Sequence, residues 1–144
     1  MKSTFFILSL TIFLSCSSNT PQPIKYGVED CGECKMTIAD EKFGAELITT
    51  KGKVYKFDDL SCMILFLEKS TIKKEEINKK LVIDYLNRNK FLDVTEATYY
   101  VGEDVHSPMN GNAAAFANKQ DALDFHQGKQ GIIMEWNEVY NKLK

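Results

Sequence analysis

The chain has 144 residues, which is enough for one domain with a hydrophobic core of useful size. Hydrophobic residues make up 44% of it and charged residues 26%, an ordinary globular composition that excludes overall disorder. The formal net charge of -2 gives no support to a nucleic-acid partner.

The first residues have the pattern of an export signal. Lys2 supplies a short positive region, and residues 5–14 form an apolar run too short for an ordinary membrane-spanning helix. Cys16 follows and resembles the lipobox cysteine of bacterial lipoproteins. Phe13 departs from that motif, because it stands three residues before the cysteine, where leucine is usual. We expect a signal peptide over residues 1–15 and a diacylglycerol group on Cys16, which would hold the protein in the cell envelope, facing the periplasm. An ordinary secretory peptide is the alternative.

Residues 16–25 are polar and are predicted to be a lipidated cysteine and a flexible tether, before a globular domain over residues 26–144. In the first half of that domain, Asp58 is a plausible helix N-cap. The predicted elements are strands at 36–39, 45–50, 54–57 and 81–86, a helix at 60–69, a solvated helix or loop at 70–80, and a turn at 87–90.

The second half has a similar pattern, with Asn118 as the expected helix cap. Its predicted elements are strands at 91–95, 97–101 and 132–136, a strand or loop at 113–117, a turn-rich loop at 102–112, a helix at 119–126 and a short helical tail. The predicted fold class is therefore α+β, with two similar ββαβ units, at about 26–90 and 91–144, packed as one compact domain.

Cys31, Cys34 and Met36 place two thiols and a thioether within six residues of a polar loop. Soft sulfur donors of this kind select Cu(I). A thioredoxin-like motif needs a helix that starts at the cysteines, a zinc site needs a second ligand pair, and c-type haem needs histidine where Lys35 stands. These three patterns fit less well than a Cu(I) site, while a simple disulfide remains a competing interpretation.

Met109 lies in a second polar loop and is either a candidate thioether ligand from far along the chain or a gap-filling residue that packs the loop onto the core. His106 precedes it by three residues and is a reserve ligand, although an exposed loop histidine is the simpler interpretation. Cys62 is also a reserve ligand or a disulfide partner, although a buried helical cysteine is the simpler interpretation. Without the leader three cysteines remain, so at least one thiol is left outside any internal disulfide.

Five segments together resemble the NosL family. They are residues 31–40 (CGECKMTIAD), 56–60 (KFDDL), 81–85 (LVIDY), 93–101 (DVTEATYYV) and 107–111 (SPMNG), and they occur in the family's order over nearly the whole mature chain. The chain departs from the family pattern at Lys35, which replaces the usual glycine of the first motif, and at Asn110, which replaces the glycine after Met109.

The resemblance implies a periplasmic Cu(I)-binding lipoprotein that delivers copper during assembly of nitrous oxide reductase, with two ββαβ units. Its partners would be that reductase, its copper-site maturation machinery and the membrane surface. Carried over by position, the ligand set is Cys34, Met36 and Met109, with Cys31 less certain.

The sequence contains no catalytic motif, so a binding protein is expected rather than an enzyme. The alternative function is an extracytoplasmic thiol-disulfide oxidoreductase that uses Cys31 and Cys34. A structural bridge, between Cys31 and either Cys34 or Cys62, in a domain that binds another protein is a third possibility.

Overall fold

The computed structural model describes residues 19–144, so the predicted signal peptide and Cys16 lie outside the described residues. The described part contains seven strands and three α-helices. The strands are β1 (Ala45–Thr49), β2 (Val54–Phe57), β3 (Ile77–Asp84), β4 (Asn87–Asp93), β5 (Thr98–Val101), β6 (Ala113–Phe116) and β7 (Ile132–Met134). The helices are α1 (Leu60–Lys69), α2 (Lys119–His126) and α3 (Trp136–Leu143). Within residues 19–144, no helix combines the length and apolar character needed to cross a membrane.

Two antiparallel sheets form the framework, with strand orders β2-β1-β3-β4 and β6-β5-β7. In each sheet a hairpin is followed by a helix and then by a strand that pairs with the free side of the hairpin's first strand. This repeated ββαβ arrangement confirms the predicted fold class, with β4 and α3 added to the two units.

The β3–β4 hairpin differs from the prediction. β3 begins at Ile77, inside the charged stretch that was expected to be a solvated helix or loop. The turn lies at Tyr85 and Leu86 rather than at 87–90, so residues 91–93 end β4 of the first sheet instead of opening the second unit. The charged residues are tolerated because the first part of β3 and most of β4 leave their side chains partly or fully exposed while the backbone pairs.

The helix ends follow local signals. α1 and α2 have the predicted bounds, and Asn118 caps α2 by accepting a hydrogen bond from the Asp121 N–H at 3.0 Å. The predicted cap of α1 was wrong by one residue. Asp59, not Asp58, is the N-cap, because its carboxylate accepts from the Cys62 N–H at 3.0 Å.

The segment before β1 packs along the first sheet. Ile24 is buried, the Gln22 N–H donates to the Glu46 carboxylate at 3.1 Å, and Lys56 Nζ donates to the Pro23 carbonyl at 2.8 Å. Residues 36–39 were predicted as a strand but form a loop. Apart from one isolated bridge between Thr37 and Asp30, their backbone hydrogen bonds run to residues 27–31 and do not extend a sheet. The segment before β1 places Cys31 and Cys34 at the end of β2.

Candidate metal centre

Three thiols and one carboxylate meet where the loop of residues 31–36 reaches the start of α1. The ligand atoms of Cys31, Cys34, Asp58 and Cys62 all lie within 4.8 Å of one another. Cys31, Asp58 and Cys62 are buried, and Cys34 is half-buried. None of the three thiols is in a disulfide. The cluster therefore has a buried floor and one thiol on its solvent side.

The loop of residues 31–36 is a tight turn. The Cys31 N–H donates to the Met36 carbonyl at 2.8 Å, and the Lys35 N–H donates to the Cys31 carbonyl at 3.1 Å. Lys35 has a φ of 65°, a left-handed conformation that glycine adopts more readily. The Gly32 N–H donates to the Lys56 carbonyl at 2.7 Å, which fastens the turn to β2. The turn thus presents both of its thiols to the residue that follows β2, Asp58.

Asp58 accepts hydrogen bonds from two thiols. Cys31 Sγ lies 3.3 Å from Asp58 Oδ1, and Cys34 Sγ lies 3.3 Å from Asp58 Oδ2. The Asp59 N–H also donates to Asp58 Oδ1, at 2.9 Å. Asp58 is only 2% exposed and its two oxygens contact the sulfur atoms, so a hard carboxylate group lies beside the soft thiols.

Asp59 joins α1 to a loop of the second unit. Its Oδ1 caps α1 at the Cys62 N–H, and its Oδ2 accepts from Ser107 Oγ at 2.9 Å and from the Met109 N–H at 3.0 Å. Met109 is half-buried and packs against the core cluster that includes Cys31 and Cys62. One carboxylate therefore fixes both the turn that carries Cys62 and the backbone of Met109.

The three thiols differ in acidity. Hydrogen bonding from the Cys62 thiol, assisted by the N–H groups of Asp58, Cys34 and Glu33, lowers the pKa of Cys31 to about 6 against the opposing effect of burial. Burial is the main cause that raises the pKa of Cys34 to about 11. The pKa of Cys62 is raised because its thiol donates to Cys31 in a buried position. Cys31 is therefore the most acidic of the three thiols in the metal-free cluster.

The predicted site residues are placed as follows. Cys34, Cys31 and the reserve residue Cys62 lie together in the cluster. Met36 follows Cys34 in the same turn and is 51% exposed. Met109 is tied to the cluster through Asp59, and the reserve residue His106 is exposed on the same loop. Which of these residues bind a metal stays a prediction.

Sequence reasoning missed the two aspartates as site residues. The sequence predicts Asp58 as a helix cap and places both aspartates in a NosL-like segment, but neither pattern marks them as site residues. The available signal was a pair of adjacent carboxylates before a helix that carries a cysteine in its first turn. The turn that holds Cys31 and Cys34, however, lies more than twenty residues earlier in the chain. Only the fold shows that these parts meet.

A protein-family model described as NosL matches residues 24–143. The chain belongs to the NosL family. Among solved structures, the copper chaperone NosL from Shewanella denitrificans matches with a TM-score of 0.70 and 23% sequence identity, over 84% of this chain and 96% of that chain. At this identity the likeness shows a shared fold. A comparison with curated proteins gives no match.

Proposed function

We propose that this NosL-family chain is a membrane-anchored metallochaperone that binds Cu(I) and delivers it for assembly of nitrous oxide reductase. The observation that carries the proposal is the cluster of Cys31, Cys34, Cys62 and Asp58, whose ligand atoms lie within 4.8 Å of one another. Soft sulfur donors select Cu(I), and the three thiols can serve as ligands because none of them is in a disulfide. Copper is the cargo of such a site, so it must leave as well as bind.

The uneven burial of the cluster supports a release route. Cys31 and Cys62 are 1% and 0% exposed, so a partner protein cannot approach their sulfur atoms without a change in structure. Cys34 and Met36 lie on the solvent side of the same turn. An acceptor's own soft ligand would reach the ion there and replace the chaperone's donors one at a time.

The first test is an anaerobic titration of the reduced protein with Cu(I) against a competing chromophoric chelator. We expect one-to-one binding that falls sharply in Cys34→Ser and Cys62→Ser and falls less in Met109→Ala. Met134→Ala is the matched control, because Met134 is also a half-buried methionine packed on the core but is not tied to the cluster. Equal affinity in the wild type and both cysteine variants would refute the site.

Two further tests address delivery and anchoring. Copper-loaded protein, mixed with copper-free nitrous oxide reductase and its maturation machinery, should lose copper to the reductase, whereas the free ion at the same concentration should load it less well. Labelling of cells with radioactive fatty acid should mark the wild-type chain and not Cys16→Ser. Absence of copper transfer would refute the recipient, and equal labelling of both chains would refute the anchor.

The alternative function, a thiol-disulfide oxidoreductase, finds one favourable observation in the lowered pKa of Cys31. An attacking thiolate must also reach its substrate, and Cys31 is buried while the more accessible Cys34 has its pKa raised to about 11. A disulfide-reductase assay on the metal-free protein separates the two functions. We expect no turnover above that of Cys34→Ser.

A further inference from the structure

The loop of residues 107–112, here called the Met109 loop, is held by hydrogen bonds within it and by two hydrogen bonds to Asp59 at the start of α1. Asn110 and Asn112 have φ values of 58° and 50°, in the left-handed region that non-glycine residues seldom adopt. Gly111 packs so closely on Ser61 of α1 that an added Cβ would overlap the serine hydroxyl. Asparagine adopts this region more readily than other non-glycine residues, and the close approach of Gly111 to Ser61 makes the loop's position depend on its contact with α1.

Ser107 and Asp59 link the bonds within the loop to those that tie it to α1. Ser107 Oγ accepts from the Asn112 N–H at 3.0 Å and donates to Asp59 Oδ2 at 2.9 Å. The same Asp59 oxygen accepts from the Met109 N–H at 3.0 Å. Asp59 and Ser107 are both buried, so water does not compete for these bonds.

We propose that Asp59 and Ser107 are positioning residues for the copper site, which act by holding the Met109 loop over the thiol cluster so that the Met109 thioether can join the thiols on the ion. The proposal rests on the proposed copper function. Its structural basis is that Asp59 bonds both the Cys62 N–H and the Met109 N–H, so one carboxylate sets the spacing between the thiol part and the thioether part of the site.

The proposal makes a distinction between metals that a merely structural role does not make. A thioether is a soft neutral donor that strengthens Cu(I) binding, whereas Zn(II) takes thiolate, imidazole and carboxylate ligands. Release of the Met109 loop should therefore weaken Cu(I) binding and leave Zn(II) binding by the thiols and Asp58 unchanged. General damage to the cluster would weaken the binding of both metals.

The experiment uses the full chain in detergent, reduced and anaerobic, with Cu(I) and Zn(II) titrated separately against chromophoric chelators. Ser107→Ala removes the serine's hydrogen bonds to Asp59 and from the Asn112 N–H, and leaves the α1 cap and the Met109 N–H bond to Asp59 in place. Asp59→Ser keeps a capping oxygen but is too short to reach the loop. Asn118→Ala is the matched control, since it removes the cap of α2 and touches no part of the cluster.

We expect Ser107→Ala and Asp59→Ser to lower the Cu(I) affinity by about tenfold, as loss of a residue that orients a ligand commonly does. The Zn(II) affinity and the urea midpoint of the metal-free protein should follow those of Asn118→Ala. Ser107→Ala added to Met109→Ala should cause no further loss of Cu(I) affinity, because the serine acts through that methionine.

Three results would overturn the inference while leaving the copper function standing: unchanged Cu(I) affinity in Ser107→Ala, an equal fall in affinity for both metals, or losses in Ser107→Ala and Met109→Ala that multiply in the double variant. Absence of Cu(I) binding by the wild-type chain is a different result, because it would overturn the proposed function and this inference with it.

Discussion

Replacement of Asp58 by asparagine tests whether the carboxylate belongs to the proposed copper site. Each Asp58 oxygen faces one thiol, at 3.3 Å from Cys31 Sγ and 3.3 Å from Cys34 Sγ. Asparagine keeps one oxygen and puts an NH₂ group opposite the other sulfur, in a position where Asp58 is 2% exposed. The negative charge beside the incoming cation is lost as well.

The expected loss of Cu(I) affinity in Asp58→Asn is about 10- to 100-fold, the usual effect of removing a group that orients metal ligands. Converted to free energy, this is about 1.4 to 2.7 kcal/mol. The change in unfolding free energy of the metal-free protein should be smaller, because the variant also removes a buried charge.

The assay is chelator competition, together with urea unfolding of the metal-free protein. Asp84→Asn is the matched control, since Asp84 is also a buried aspartate but lies at the end of β3 and accepts from the Leu86 N–H. An Asp58→Asn affinity within twofold of that of Asp84→Asn would show that the carboxylate does not contribute to metal binding.

Three other predictions concern the scaffold. Gly111→Ala should destabilise the protein by about 1 to 3 kcal/mol and weaken Cu(I) binding, because the new methyl group overlaps the Ser61 hydroxyl. Adding Ser61→Ala should restore both properties, since that hydroxyl is buried and without a partner in residues 19–144. A double variant no better than Gly111→Ala would contradict this. Lys35→Gly should raise the unfolding free energy of the metal-free protein by about 1 kcal/mol, measured in urea, because it removes a left-handed non-glycine residue. Burial raises the pKa of Glu46, so its proton is bound more tightly in the folded than in the unfolded state, and the stability this provides is present in acid and lost as the pH rises through the folded-state pKa. The stability of Glu46→Gln relative to wild type should therefore increase from about pH 4 to pH 7 in urea titrations, and a difference independent of pH would refute the argument.

Elements with local signals were predictable from the sequence. α2 has its predicted bounds because Asn118 caps it and Gly128 follows its end. β2 follows Gly52, which has a positive φ in the hairpin turn. The repeat of the ββαβ pattern followed from the order of these elements.

Elements that depend on distant partners were not predictable. β3 starts at Ile77 because the backbone there pairs with Thr49 of β1, and this pairing outweighs the helical or irregular preference of a lysine-rich stretch. Cys62 gave the sequence pattern of a buried core cysteine, and it is indeed buried. Its place beside Cys31 depends on how α1 docks against the first turn, which no local pattern records.

The Asp58–Asp59 pair explains how a site can be built from three distant segments. Asp59 has an extended backbone, with φ of -151° and ψ of 177°. The Asp58 carboxylate accepts hydrogen bonds from the thiols of residues 31–36, whereas the Asp59 carboxylate accepts them from the Met109 loop of the second unit. Since the donors meet only in the folded chain, Cu(I) should bind the folded state far better than the unfolded one and should raise the free energy of unfolding. The same dependence offers a route to release. A partner that displaced the Met109 loop, or that drew Cys34 outward, would weaken the site without unfolding the sheets that carry it.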